Sequence, residues 1–377
     1  MKKKEDQNRL DSYVAQVKER VTNFIGYPVS TDFDYSELYP LFKYPLNNLG
    51  DPLIESTYDL NSRSIEREVV QFFCEIFKAP KENSWGYVTN GGSEGNLYAL
   101  YVARELYPQG MVYFSESTHY SVNKNIRLLN MPSIMIRSQE SGEMDYEDLK
   151  DAVHTHRDRP AIVVANIGST MTEAKDDISK IKTMLRASAI RSSYIHCDAA
   201  LSGAYLALLE TSPKFDFPSG TDSIAISGHK FIGSPIPCGV VIVKKNYKER
   251  IGQSIPYIGT MDTTITGSRN GHSPLFLWYA IKKMGVEGLK ERALKSMELA
   301  AYTEKKLQEL GLDAWRNPNA ITVVMPQPSE DICKKWQLAT ENGISHIICM
   351  PGLTQQVIDD FLEDLRNSLS SSALKNC

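Results

Sequence analysis

Short apolar runs alternate with segments of helical period along most of this chain. Residues 5–24 read as an amphipathic helix, followed by a loop-rich stretch through Asn47–Pro52. The spacing then predicts helices over 66–77, 94–106, 121–129, 146–156 and 178–189. Strands are predicted between them at 85–89, 111–114, 134–136, 161–167 and 194–197, and further on at 223–226 and 240–243. Apolar recurrence at three and four residues marks the helices, whereas unbroken apolar runs mark strands buried on both faces. Such alternation predicts an α/β fold with a mostly parallel sheet covered by helices on each side. After Thr266 the pattern changes to a long helix near 289–309, strands at 320–325 and 344–349, and a helix from 354 to 367. That makes an α+β unit of roughly 100 residues, a usual size for a small second domain. The polar tail 368–377 is expected to fray. Divided on these changes, the chain is expected to comprise segments 1–50, 51–265 and 266–377.

Composition narrows the function classes. The 377 residues are 42% hydrophobic and 23% charged, with a net charge of −4, as in ordinary globular proteins. A mildly acidic chain without a basic stripe is not expected to bind nucleic acid. No apolar run approaches the roughly 20 residues needed to cross a bilayer. The N-terminus lacks the apolar core of a signal peptide, so a cytoplasmic location and no membrane partner are expected. The six cysteines show no C-x-x-C spacing and the seven histidines no ligand spacing, so reduced thiols and no metal are expected.

Candidate chemistry sits where predicted strands end. Ser223–Lys230 closes an apolar run with a histidine and a lysine side by side. Burial there would lower the lysine's pKa and supply the free amine that bonding to an aldehyde requires. Thr89–Asn96 places two glycines between a strand and a helix. Ser93 could cap that helix, and its first-turn amides would suit a phosphate. Asp198 ends another strand, where a buried carboxylate is costly unless a cation such as a pyridinium nitrogen lies opposite. Ala200 is small enough to lie under a planar ring, His119 could stack on one, and Asn166–Thr170 could reach a ring hydroxyl or phosphate. Each has a plain alternative when taken singly: a surface lysine, an ordinary βα turn, a helix-capping carboxylate, a satisfied loop histidine. Together, in this order, they favour a pyridoxal-phosphate site.

The runs Trp85–Asn96, Ser117–Ser121, His196–Gly203 and Ser227–Gly239 resemble the group II pyridoxal-phosphate amino-acid decarboxylases. Within that group they are similar to the short bacterial histidine decarboxylases and the related plant serine decarboxylases. The likeness covers nearly the whole chain, including Gly267–His272. It implies a fold-type I architecture: a mostly parallel seven-stranded sheet between helices, with a smaller α+β C-terminal domain. It also implies that 1–50 serves dimerisation, that 51–265 binds the cofactor, and that the enzyme is a homodimer with its site at the subunit interface. By position, Lys230 would be the covalent anchor, Asp198 would hold the pyridine nitrogen protonated, His119 would stack, and Ala200 would pack beneath the ring. Gly92, Ser93, Ser227 and His229 would bind the phosphate, and Thr170 or Ser169 would lie near the ring oxygen. A partner residue near Ser268 would complete the phosphate pocket. Tyr257, in a Gly/Pro-punctuated stretch, would return the proton to the substrate carbon.

The implied reaction is loss of carbon dioxide from an L-amino acid, with histidine to histamine expected first and serine to ethanolamine as the alternative. Pro52 stands where the histidine enzymes typically carry tryptophan, and Asn48–Tyr58 and Ser273–Tyr279 look more like the serine enzymes. Two other classes compete. An aminotransferase of the same fold would grip the substrate carboxylate with an arginine, for which Arg316 is the candidate; a non-enzymatic binding protein would not need Lys230, Asp198 and His119 together.

Overall fold

The computed structural model describes residues 2–55, 57–255 and 260–375. Helix α1 is Lys2–Thr22 and α2 Arg63–Ile76. The alternating region then runs β1 Ser84–Thr89, α3 Gly92–Leu106, β2 Met111–Ser115, α4 Tyr120–Leu128, β3 Ser133–Ile136, α5 Tyr146–Thr155, β4 Ala161–Asn166 and α6 Ile178–Ala187. It continues with β5 Ser193–Asp198, α7 Gly203–Leu206, β6 Ser223–Ser227, β7 Gly239–Lys244 and α8 Lys245–Lys248. A hairpin, β8 Gln253–Ile255 and β9 Thr260–Asp262, precedes α9 Ser273–Glu309. The last elements are β10 Thr322–Pro326, α10 Glu330–Lys335, β11 Thr340–Glu341, β12 Ile344–Ile348 and α11 Gln355–Lys375.

Two compact units emerge, residues 29–294 and residues 1–28 with 295–377. The divide falls at 28/29 and 294/295, not at 50/51 and 265/266. Residues 29–50 belong with the large unit because their polar groups are built into it. Asn48 donates to Glu66 at 2.8 Å, and Asp32 pairs with Arg292.

The large unit holds a seven-stranded sheet in the order β1-β7-β6-β5-β4-β2-β3. Only β7 runs antiparallel to its neighbours. The C-terminal ends of the other six strands therefore share one edge, where α/β sheets bind ligands. Every residue of β2, β4, β5, β6 and β1 except the half-buried Ser84 and Ser193 is buried, as expected for strands covered on both faces. Helix α3 lies across β5, β6 and β7, its Tyr98 packed edge-on to Tyr87 with ring centres 5.1 Å apart.

In the smaller unit, β10, β12 and β11 form an antiparallel sheet. Ile25 is fully buried among Trp336, Ile347 and Phe361 and accepts the Ile348 N–H at 2.9 Å. Two helices are longer than the periodicity predicts. Helix α9 starts at Ser273, and Gly285, at φ +62°, breaks its phase so that only the part beyond reads as regular. Helix α11 continues to Lys375 instead of fraying after 367, and Ser370 returns its hydroxyl to the Arg366 carbonyl at 3.0 Å.

Candidate active site

Three sequence-distant segments meet at the first turn of α3. Gly91 is the N-cap, at φ +152° and ψ 172°, a backbone conformation reserved for glycine. The helix starts one residue before Ser93, so Ser93 does not cap it. Instead Glu94 reaches back to accept the Asn90 N–H at 2.9 Å, while Ser93 stays exposed in the first turn. A methyl group on Gly92 would lie 2.6 Å from Ser227 Oγ and 3.5 Å from the Ala200 Cβ. Gly92, Ala200 and Ser227 thus form one tight cradle, and the open amides of the helix start favour an anion.

Asp198 ends β5, in register with Asn166 of β4 and Ala225 of β6. It is 6% exposed. Asn96 Nδ2 donates to its Oδ2 at 2.7 Å, and the Ala200 N–H donates to Oδ1 at 3.2 Å. Both donors are neutral, and among the described residues Asp198 forms no ion pair. Next to it, the fully buried His196 lies 2.9 Å from Asn96 Oδ1 through Nε2 and 2.8 Å from Ser223 Oγ through Nδ1. Burial pulls the His196 pKa down to about 4, against the attraction of Asp198.

Lys230 follows β6 in a turn whose backbone is firmly anchored. Ser30 donates to the Lys230 carbonyl at 2.9 Å, and Arg292, paired with Asp32, donates to the Phe231 carbonyl. Burial lowers the Lys230 pKa, and Asp198 acts in the opposite direction. An amine so placed loses its proton more readily than a surface lysine, as carbonyl chemistry requires. His229 is half-buried, its Nδ1 lying 2.9 Å from the Cys238 carbonyl oxygen and 3.2 Å from the Cys238 nitrogen, and burial lowers its pKa.

His119 caps α4, its Nδ1 accepting the Ser121 N–H at 3.3 Å. Burial lowers its pKa, while Asp198 attracts and Lys230 repels its protonated form. These mutual fields bring His119, Asp198 and Lys230 into one electrostatic neighbourhood. Beyond β4, Ser169 and Thr170 separate clearly. The Ser169 hydroxyl is buried against Thr172 at 3.0 Å and accepts the Ala174 N–H at 3.0 Å, whereas Thr170 is exposed. Tyr257 lies outside the described residues. In the smaller unit, Arg316 is committed to Glu304 at 2.8 Å.

Asn96, His196, Ser30 and Arg292 acquire roles that their sequence context does not advertise. Asn96 meets Asp198 across 102 positions and His196 across 100, Arg292 meets the Phe231 carbonyl across 61, and Ser30 meets the Lys230 carbonyl across 200. The available signals were Asn96 directly after the glycine turn and His196 two residues before Asp198, hence on the same face of β5.

A phosphorylated aromatic aldehyde with a basic ring nitrogen needs four things: a lysine amine, a carboxylate for the ring nitrogen, small side chains along the ring and a cradle for the phosphate. Lys230, Asp198, Ala200 and the Gly92–Ser227 turn match those needs, and the cradle is one that a single Cβ would fill. Comparisons with known proteins agree. Residues 57–314 match the pyridoxal-dependent decarboxylase conserved domain. The chain is 49% identical to a histidine decarboxylase of Mesorhizobium japonicum over 96% of this chain and 98% of that one. It is 46% identical to a histidine decarboxylase of Morganella morganii over 96% of each. Among solved structures, L-methionine decarboxylase from Streptomyces sp. 590, in complex with L-methionine methyl ester, is 26% identical at a TM-score of 0.89. That match covers 96% of this chain and 94% of the other.

Proposed function

The chain belongs to the pyridoxal-dependent decarboxylases, and from that premise we propose that it converts L-histidine to histamine and carbon dioxide with pyridoxal 5'-phosphate as cofactor. The observation that carries the cofactor assignment is a buried carboxylate, Asp198, hydrogen-bonded among the described residues by neutral donors and sharing one sheet edge with a lysine of lowered pKa. The relatives named histidine decarboxylase, at 44–49% identity over nearly the full length, favour histidine over serine as substrate.

When bound, the cofactor supplies an electron sink for the pair released as carbon dioxide leaves. Lys230 would hold its aldehyde and yield that position to the substrate amine. Asp198 would keep the ring nitrogen protonated, His119 would cover one face of the ring and Ala200 the other. Gly92, Ser93, Ser227 and His229 would bind the phosphate, with Thr170 close to the ring oxygen; the exposure of Thr170 favours it over Ser169. Tyr257 is the candidate for returning a proton to the substrate carbon.

A homodimer suits this reading. Leu10, Tyr13, Val14, Val17 and Val21 form a stripe at helical spacing along α1, each at least 44% exposed. Tyr39, Phe42 and Tyr44 add exposed aromatic surface. Stripes of this kind are ordinarily covered by a partner, here a second copy whose residues near Ser268 would complete the phosphate pocket. Buried thiols at Cys197 and Cys238, outside any disulfide, accord with a cytoplasmic location.

The test is carbon dioxide release from a panel of amino acids, including histidine, serine, methionine, glutamate and phosphoserine, with no keto acid present. Sustained release fastest with histidine, with histamine formed one for one, is expected. Ethanolamine from serine as the faster product would reassign the substrate, and amino-group transfer without gas release would overturn the decarboxylase assignment.

A further inference from the structure

Gly95 allows α3 to approach the sheet so closely that a methyl group there would lie 2.9 Å from the Ala225 Cβ. That approach brings Asn96 onto β5, where one amide spans His196 and Asp198. The hydrogen-bond directions follow from valence. An ionised carboxylate only accepts, so the Asn96 nitrogen must face Asp198 and its oxygen must face His196. The His196 Nε2 therefore carries a proton and donates it. Its Nδ1 is then an acceptor, filled by the Ser223 hydroxyl at 2.8 Å. Three of the four residues are 3% exposed or less, and with a neutral imidazole each link has one polarity.

We propose that Ser223, His196 and Asn96 are positioning residues, a neutral chain of dipoles that holds the Asp198 carboxylate in place while leaving its charge for the cofactor. The proposal rests on the assignment of Asp198 to the ring nitrogen. A lysine or arginine in place of Asn96 would hold the carboxylate equally well, but would neutralise the field that the ring nitrogen has to feel. An amide orients the carboxylate through one hydrogen bond and adds no charge. A histidine behind it, held in one tautomer, keeps the amide from flipping. The fall of the His196 pKa to about 4 agrees with an imidazole that stays neutral. The charged group facing His196 is Asp198 on its own strand; Lys230 beyond β6 and His119 ahead of α4 act on Asp198 in turn.

The test begins with apo protein labelled with 15N at histidine, the His196 signal being identified by its loss in His196→Gln. The expected spectrum shows the Nε2–H tautomer, unchanged between pH 5.5 and 8. An Nδ1–H tautomer, or titration near pH 6.5, would overturn the proposal without reference to any variant's folding. Affinity for pyridoxal phosphate is the second readout. Asn96→Leu and His196→Leu should each weaken binding tenfold or more, whereas His196→Gln, which can still donate to the Asn96 oxygen, should recover most of that loss. Equal weakening by His196→Leu and His196→Gln would reduce His196 to packing and overturn the relay. Asp198→Asn separates the two levels. If it binds pyridoxal phosphate as the wild type does, the assignment of Asp198 fails; if it binds weakly while Asn96→Leu binds normally, only the relay fails.

Discussion

Glu66 and Asp51, in the large unit, and Asp198, at its strand ends, are buried carboxylates satisfied in opposite ways. Glu66 is paired with Arg269 and accepts from Asn48 and the Val88 N–H. Asp51 is paired with Lys248 at 2.8 Å and accepts from the Trp85 indole and Thr263. Each carries its own cation, and the charge is spent inside the fold. Asp198 has an amide and a backbone N–H and, among the described residues, no ion pair; Lys230 and His119 act on it only through space. A buried charge left without a counter-charge weakens a fold unless something from outside supplies it. The two arrangements therefore separate carboxylates that build the protein from one that serves a ligand.

Exchanging the charges should break this contrast most visibly at Asp198. Asp198→Asn should cut histidine turnover on the order of 10^3-fold, a size typical of losing a group that acts in the transition state. The thermal midpoint of its apo form should stay within a few degrees of the wild type. Arg269→Met should do the converse: an apo protein less stable by about 3 kcal/mol, since it strands the Glu66 charge, with much of that recovered in the Arg269→Met, Glu66→Gln double variant. Equal destabilisation by the two single changes, measured by urea unfolding, would erase the distinction.

Much of the strand-end constellation is legible in the chain because each member closes an apolar run. Lys230, Asp198, His119 and the glycine turn are all local punctuation of strands, and the large sheet follows from the same alternation. What holds them is less legible. Asn96 meets Asp198 across 102 positions, and Ser30 meets the Lys230 carbonyl across 200. Neither pairing leaves a local pattern. Ser93 shows the opposite error, for a serine after two glycines reads as a cap, yet the helix begins before it, with Gly91 as the N-cap and no side-chain cap.

Smaller effects sharpen the contrast. Gly92→Ala should weaken pyridoxal phosphate binding by roughly 10- to 100-fold, about 1.4 to 2.7 kcal/mol, because its methyl would intrude on Ser227 in the cradle. Equilibrium titration of apo protein reads this, and unfolding of the apo form should hardly change. The least effect concerns pH. His196 refuses a proton down to about pH 4 that its unfolded form takes near 6.5, so it lowers stability as the pH falls through that window. Asp176, whose carboxyl burial pushes up to about 7, acts the other way, binding a proton in the folded state between about pH 4 and 7. Replacing His196 with Gln removes only the first contribution. The variant apo protein should therefore gain about 1 kcal/mol on the wild type between pH 7 and pH 5.5, as read from urea midpoints at the two values.

Asp198 is claimed to act through the ring nitrogen, and an analogue lacking that nitrogen reports on it most directly. Dissociation constants of pyridoxal 5'-phosphate and its 1-deaza analogue would be measured for wild-type and Asp198→Asn apo proteins. The wild type should prefer the nitrogen-bearing ring by tenfold or more, and Asp198→Asn should lose this preference. The same preference in both proteins would show that the carboxylate and the nitrogen do not interact, and would overturn the assignment of Asp198.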